Sequence, residues 1–373
     1  MSGRRGSAPV PCLLVALLAA GGVGAQTPAP ADSARPDAAP SRGRWRALPV
    51  IGSAPETGIQ FGGMLLRVGR PAGARASSRP TTDRFLARAT ARRQVELEWE
   101  RDAWFADDRW RLLTRLEYSR FPLRFYGLGV DAPETAEELY TPRTPAATVT
   151  VQRRIAAGLY VGAGYAIAHT TMRGLDPDGV LVDGLVRGSR GGTVAQLDLS
   201  LVADTRDNVY APRRGHLATL QLSPAHRALG SSFDFTRTLF DARAYRPVGA
   251  LGSLAVQAVL DDVRGQAPFD RLPTIGTSSV MRAYERGRYR DGTLAAVQVE
   301  LRRDLPRRLA GAIWLGAGTV APRLGALGDA RVLPTAGVGG RWYLIPGERL
   351  AARADLAFGR GVTGIYLGVG EAF

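Results

Sequence analysis

Three histidines, His169, His216 and His226, are the only imidazoles in this chain of 373 residues. Acid–base or nucleophilic catalysis would normally recruit one of them. A lipase-like site needs a serine and a histidine together on one external face. No G-x-S-x-G elbow is present, and strand parity puts His169 and His216 at opposite ends. No His/Asp/Glu cluster has metal-ligand spacing. The single cysteine, Cys12, falls in an N-terminal apolar run, which removes thiolate, disulfide and Cys-zinc chemistry from the rest of the chain. Gly162-Ala-Gly164 and Gly316-Ala-Gly318 lie in mid-strand, with no helix following to make a phosphate cradle. The expectation is therefore a protein that is not an enzyme and holds no cofactor or metal.

The chemistry that remains is charge pairing. The stretch Met281–Arg303 reads MRAYERGRYRDGTLAAVQVELRR. Its first half is an irregular loop rich in Arg, Gly and Tyr. Its second half alternates, with Gln298, Glu300 and Arg302 on one face and Val297, Val299 and Leu301 on the other. A charged loop feeding such a strand is expected to fold back onto the strand's polar face, inside a barrel.

The elements that would hold this arrangement are strands of the same kind. Val95, Leu97 and Trp99 alternate with Glu96, Glu98 and Glu100. Leu197, Leu199 and Leu201 alternate with Gln196, Asp198 and Ser200. Such segments recur from about residue 46 to the end, separated by turns rich in Gly, Pro, Asp and Arg. Counted back from the C-terminus they number sixteen, the last near 361–373. This predicts an all-β fold, a transmembrane antiparallel β-barrel of about sixteen strands with an inward-folded loop. Parity places the short turns at one end, the periplasmic one. The long connections 122–142, 172–192 and 264–292 then fall at the other. Trp104, Phe105, Phe121, Phe125, Tyr126, Trp342 and Tyr343 suit aromatic girdles at the membrane interfaces.

The address agrees. Arg4 and Arg5 precede an apolar run ending at Val23-Gly24-Ala25, which reads as a signal peptide over 1–25. Residues 26–45, rich in Ala, Pro, Ser and Asp, read as a disordered periplasmic linker before a barrel over 46–373. Lys+Arg is 49 against 34 Asp+Glu, a net charge of +15. The arginines are spread through alternating segments rather than gathered into a tail or helix, so no nucleic-acid partner is expected.

Three segments together resemble the BamA/TamA-like outer-membrane barrels, also called the bacterial surface antigen family. Met281-Arg282-Ala283-Tyr284, followed by Arg288 and Asp291, is similar to that family's hydrophobic-Arg-Gly-aromatic loop motif, with Ala283 in place of Gly. Asp204, Arg206, Asp207 and Asn208 through Pro212 and Gly215 resemble its strand–turn–strand in mid-barrel, here a periplasmic turn. The end of the chain, with Tyr366 and a terminal Phe373, resembles the signal by which assembly machinery recognises outer-membrane barrels.

The resemblance implies that the loop arginine, Arg282, pairs with acidic residues on the inner wall. Glu300 matches one of them, with Arg302 beside it. The family's second acid belongs to an aromatic-x-Asp-x-Gly strand, here Trp314-Leu-Gly316-Ala-Gly318, where the Asp is missing. Asp355 shares the polar parity of its own strand and is the candidate replacement. The implied role is insertion or translocation of protein or lipid at the outer membrane, by a barrel-only member without tandem periplasmic POTRA domains. Expected partners are outer-membrane lipids, the assembly machinery for the barrel's own insertion, and an unfolded protein or lipid client. The alternatives are a passive, anion-preferring porin and a structural surface-antigen barrel.

Overall fold

A computed structural model of the chain describes residues 43–54, 57–70 and 78–373. The expected signal peptide and nearly all of the expected linker lie outside the described residues. The ordered elements are β1 (Trp45–Ala54), β2 (Gly58–Gly69), β3 (Thr81–Thr90), β4 (Val95–Phe105), β5 (Trp110–Arg120), β6 (Leu123–Phe125), β7 (Glu138–Ala156), β8 (Leu159–Arg173) and β9 (Gly192–Asp204). They continue with β10 (Gly215–Ala225), β11 (Phe235–Pro247), β12 (Ser253–Gly265), β13 (Thr293–Leu305), β14 (Leu309–Ala321), β15 (Leu333–Ile345), β16 (Leu350–Gly359) and β17 (Val362–Val369).

All strand pairings are antiparallel, and each full-length strand is laddered to the next in sequence. β6 is a three-residue spur on the extended start of β7, so β5 pairs onward with β7. The remaining sixteen strands are the staves of a nearly closed barrel. β1 and β17 lie side by side, but among the described residues no ladder joins them.

Alternation explains why these segments become staves. On β13, Gln298, Glu300 and Arg302 are 1%, 0% and 7% exposed, while Val297 and Val299 are 50% and 38% exposed. Polar side chains point inward and apolar ones outward, the reverse of a soluble sandwich. The outer surface carries Leu97, Leu116, Leu199, Leu201, Ile313 and Val338 in contiguous apolar rows, as lipid contact requires. Inside β3–β5 the polar faces neutralise one another. Arg84 bonds Glu98 at 2.6 Å and Arg88 bonds Glu96 at 2.5 Å, while Arg115 Nε bonds Glu100 at 2.9 Å.

The two ends differ. One carries short connections such as 157–158 and 306–308, cross-tied by Arg70–Glu348 at 2.6 Å and by Arg349–Asp207 at 3.2 Å. The other carries the long connections 121–137, 174–191 and 266–292. These pack on each other through Phe125, Tyr140, Leu181 and Phe269. Isolated bridges join Arg290 to Gly129 and to Thr274.

Two expectations are corrected. The last strand stops at Val369 rather than running to Phe373. Gly370, at φ 84°, turns the chain, and Phe373 packs with Tyr245 and Ala255. The aromatic girdle is also only partial. Phe105 and Trp342 are exposed, whereas Trp104, Phe125 and Tyr126 are buried. Trp104 meets Tyr160 edge-on with centroids 5.7 Å apart. Phe125 and Tyr126 lie in the loop cap or beside it.

Candidate functional site

The connection 266–292 leaves β12 and dips into the barrel before rejoining β13. Its tip, Met281–Tyr284, is fully buried, against the inner faces of β12–β17. Every backbone and charged group there must find a partner within the lumen.

Arg282 supplies the central contact. Its Nη2 bonds Glu300 Oε2 at 2.7 Å and its Nη1 bonds Asp355 Oδ2 at 2.5 Å. Its guanidinium carbon sits 3.7 Å from the centroid of the Trp314 ring. A planar fork suits this geometry, because it serves two carboxylates in its plane and an aromatic face above it. Neither carboxylate belongs to Arg282 alone. Arg341 reaches Asp355 at 2.6 Å, Glu300 at 3.3 Å and Glu371 at 2.9 Å. Arg302 bonds Glu300 at 2.8 Å and the Phe373 carbonyl at 2.6 Å. Arg353 stands 3.6 Å from Asp355. Four guanidiniums thus share three carboxylates, at nearly zero exposure.

The tip's backbone is held as closely. Met281 N donates to Gln298 Oε1 at 3.0 Å. The Gln298 amide in turn donates to Ser279 O at 2.8 Å and to Gln257 at 2.9 Å. Thr335 Oγ1 donates to Arg282 O. Ala283 N donates to the Tyr366 hydroxyl at 3.1 Å, and the Tyr284 hydroxyl donates to Pro334 O at 2.5 Å. Met281 and Ala283 adopt φ of 55° and 103°. The second lies where glycine is at ease and alanine is strained. Ala283 is the position at which the family's loop motif has Gly.

The expected missing acid also has a local cause. A Cβ on Gly316 would come within 3.0 Å of Gln298 Cγ and 2.9 Å of Thr335 Cγ2. The side chains that hold the loop tip occupy the room an Asp would need. Asp355, two strands away on β16, faces the same point.

The other predicted residues lie apart from this network. Arg288 donates to Ala132 O at 2.7 Å and stacks on Tyr126 and Tyr289, tying the loop to the outer cap. Asp291 accepts from Gly292 N at 2.8 Å at the loop's exit. Burial raises the pKa of Asp291, and that of Glu285 despite the opposing charge of Arg124.

The turn after β9 forms a second cluster. Asp204 accepts from Arg206 Nε at 2.9 Å and from Arg79. Asp207 accepts from Arg213 N at 2.9 Å and Arg214 N at 3.1 Å. Asn208, the next residue of the motif, accepts from Tyr210 N and Ala211 N, both at 2.8 Å. Pro212 is buried in the turn. Gly215 has φ 92°, and a Cβ there would meet Thr205 O at 2.2 Å.

Thr335, Arg341 and Glu371 escaped sequence reasoning, and Trp314 entered it only as the aromatic of the strand that lacks its Asp. Thr335 and Arg341 share the inward parity of their strand, a signal too common along a barrel to single them out. Glu371 lies beyond the last strand and has no parity to read. The histidines bond separately, His169 to Thr193 and His216 to Thr205.

Two solved structures share the architecture. BamA from Haemophilus ducreyi lacking POTRA domains 1–3 aligns with a TM-score of 0.57 at 12% identity, over 88% of this chain and 70% of that one. CdiB from Acinetobacter baumannii aligns with a TM-score of 0.54 at 12% identity, over 86% of this chain and 59% of that one. At this identity the likeness shows the fold. No curated protein matches the sequence. The profile of the Omp85 superfamily domain matches residues 71–326, from the β2–β3 connection across the pinned loop and into the connection after β14. With that match over most of the barrel, the chain belongs to the Omp85 superfamily.

Proposed function

We propose that this outer-membrane barrel assists the insertion or translocation of protein or lipid clients. The observation that carries the reading is the seam. Each full-length strand from β1 to β17 is laddered to the next, yet β17 and β1 abut without a ladder among the described residues. β17 has 8 residues where β13, β14 and β15 have 13 each. Unpaired edge groups facing lipid are costly, so such a seam favours accepting a client strand by β-augmentation. The ion network supports the same reading. It ties β13, β15 and β16 to the loop and braces the wall beside the seam, so deformation concentrates at the junction itself.

The lumen argues against an open porin. The loop contributes Thr277 and Arg286 to two separate cavities of about 460 and 570 Å³, with its tip on the wall. Export by a cleaved signal peptide and assembly of the barrel by the cell's own machinery belong to the same proposal. The test is reconstitution into liposomes. Faster folding of an added unfolded barrel, with small or flickering conductance, supports the reading. A large, steady, anion-selective conductance without acceleration sinks it in favour of the porin.

A further inference from the structure

The outer wall of β1–β5 carries charged as well as apolar side chains. Register sets its outward side chains in rows. Toward the end that carries the β2–β3 and β4–β5 connections, one row reads Trp45, Arg67, Asp83, Arg101 and Thr114 across the five strands, with Ala103–Leu112 and Phe105–Trp110 beyond it on β4 and β5. The next is Ala47, Leu65, Phe85, Trp99 and Leu116. The third is Pro49, Gly63, Ala87, Leu97 and Tyr118. Small residues in the second and third rows leave a groove of about 850 Å³, floored by Ala47, Gly63 and Ala87 and walled by Phe85, Leu97 and Trp99.

Charge at the end of the groove nearer the β2–β3 connection is unbalanced. Arg67 bonds Asp83 at 2.5 Å and Arg101 bonds it at 3.1 Å. Two guanidiniums share one carboxylate, which they cover, while remaining 33% and 37% exposed. Arg67 spends Nε and Nη2 on Asp83 and lies 5.0 Å from the Trp45 ring centroid. Arg101 spends only Nη1. Nη1 of Arg67 and Nε and Nη2 of Arg101 make no such bond, on side chains that stay about one-third exposed on the outer wall. An unneutralised cation with free N–H groups there calls for an anionic acceptor.

We propose that this face binds one anionic phospholipid of the periplasmic leaflet. Its phosphate is held by Arg67 and Arg101, and an acyl chain lies in the groove over Gly63. The occupant follows from the pairing of one net positive charge with an adjoining apolar channel, which a free anion would leave empty and an uncharged lipid would leave unneutralised. The site rests on the outer wall alone and is independent of the translocation reading.

Native mass spectrometry of the purified barrel, titrated with phosphatidylglycerol, phosphatidylcholine or inorganic phosphate, tests it. One phosphatidylglycerol should be retained in preference to phosphatidylcholine, without competition from inorganic phosphate. Arg67→Gln and Arg101→Gln each leave Asp83 one partner and should weaken retention about tenfold. Gly63→Leu should do the same from the groove side. A Cβ there meets nothing within 4 Å, so the barrel should assemble normally while the channel is filled. Wild-type retention in any assembled variant, or displacement of the lipid by inorganic phosphate, overturns the proposal.

Discussion

Arg282 shows how a single side chain can hold a loop inside a membrane protein. Its two carboxylate partners come from β13 and β16, and Trp314 on β14 closes the third side. Breaking a buried ion pair by removing one partner costs about 3–5 kcal/mol. Arg282→Glu also sets a third carboxylate beside Glu300 and Asp355, so it should reach that range despite Arg302 and Arg341 nearby. The readout is the temperature at which the folded band converts to the unfolded band on a gel. Melting of the assembled variant at the wild-type temperature would remove Arg282 as the pin. Ala283 makes the opposite prediction. Its φ of 103° strains an alanine by about 1–3 kcal/mol, and the extra freedom of an unfolded glycine returns about 0.4–1 kcal/mol. Ala283→Gly should therefore stabilise the barrel by about 1 kcal/mol, seen as a higher conversion temperature.

At the scale of elements, the connection 266–292 is anchored twice. Its tip is held on the β13–β17 wall, and its return limb is held in the outer cap through Arg288 and Arg290. Burial raises the pKa of Glu285 in the folded loop, so folded protein binds that proton more tightly than unfolded chain. The stabilisation is fully present below the unfolded value of about 4.3. It is lost as pH rises through the higher folded value. Protease protection of the loop should thus fall as pH rises above about 4 more steeply in wild type than in Glu285→Gln. Parallel profiles would remove this assignment. At the end with the short connections, Asp204 joins the β2–β3 connection to the turn after β9 through Arg79 and Arg206. Asp204→Ala leaves two nearly buried cations without that partner and should cost about 2–3 kcal/mol. Chemical denaturation of the folded barrel measures it.

For the whole molecule, the consequence is an asymmetric barrel. The C-terminal wall is cross-braced by ions through its lumen. The N-terminal wall carries local pairs between neighbouring strands, and the two meet at the unladdered seam. The loop then sets how much of the lumen is open. Replacing residues 277–287 by a short Gly-Ser linker should convert small conductance into a larger steady one in planar bilayers. Unchanged conductance would mean that the loop does not occlude the path.

Much of this was legible in the chain itself. Side-chain period two fixes which residues face the lumen, so all sixteen staves, their parity and the inward placement of Glu300, Arg302 and Asp355 follow from local pattern. The loop motif marked Arg282 and the unusual Ala283, and the parity of β16 marked Asp355 in the absence of an acid at Gly316. Tertiary structure alone decided the rest. Which of many inward polar residues share a level depends on strand stagger around the barrel, and no local pattern encodes stagger. That is why Arg341 and Thr335 join the site unannounced. The turn at Gly370 carries Glu371 and Phe373 inward, where they meet Arg341 and Arg302. The row Arg67–Asp83–Arg101 had the same origin. Each residue is an ordinary strand charge until register brings the three together on the lipid-facing wall.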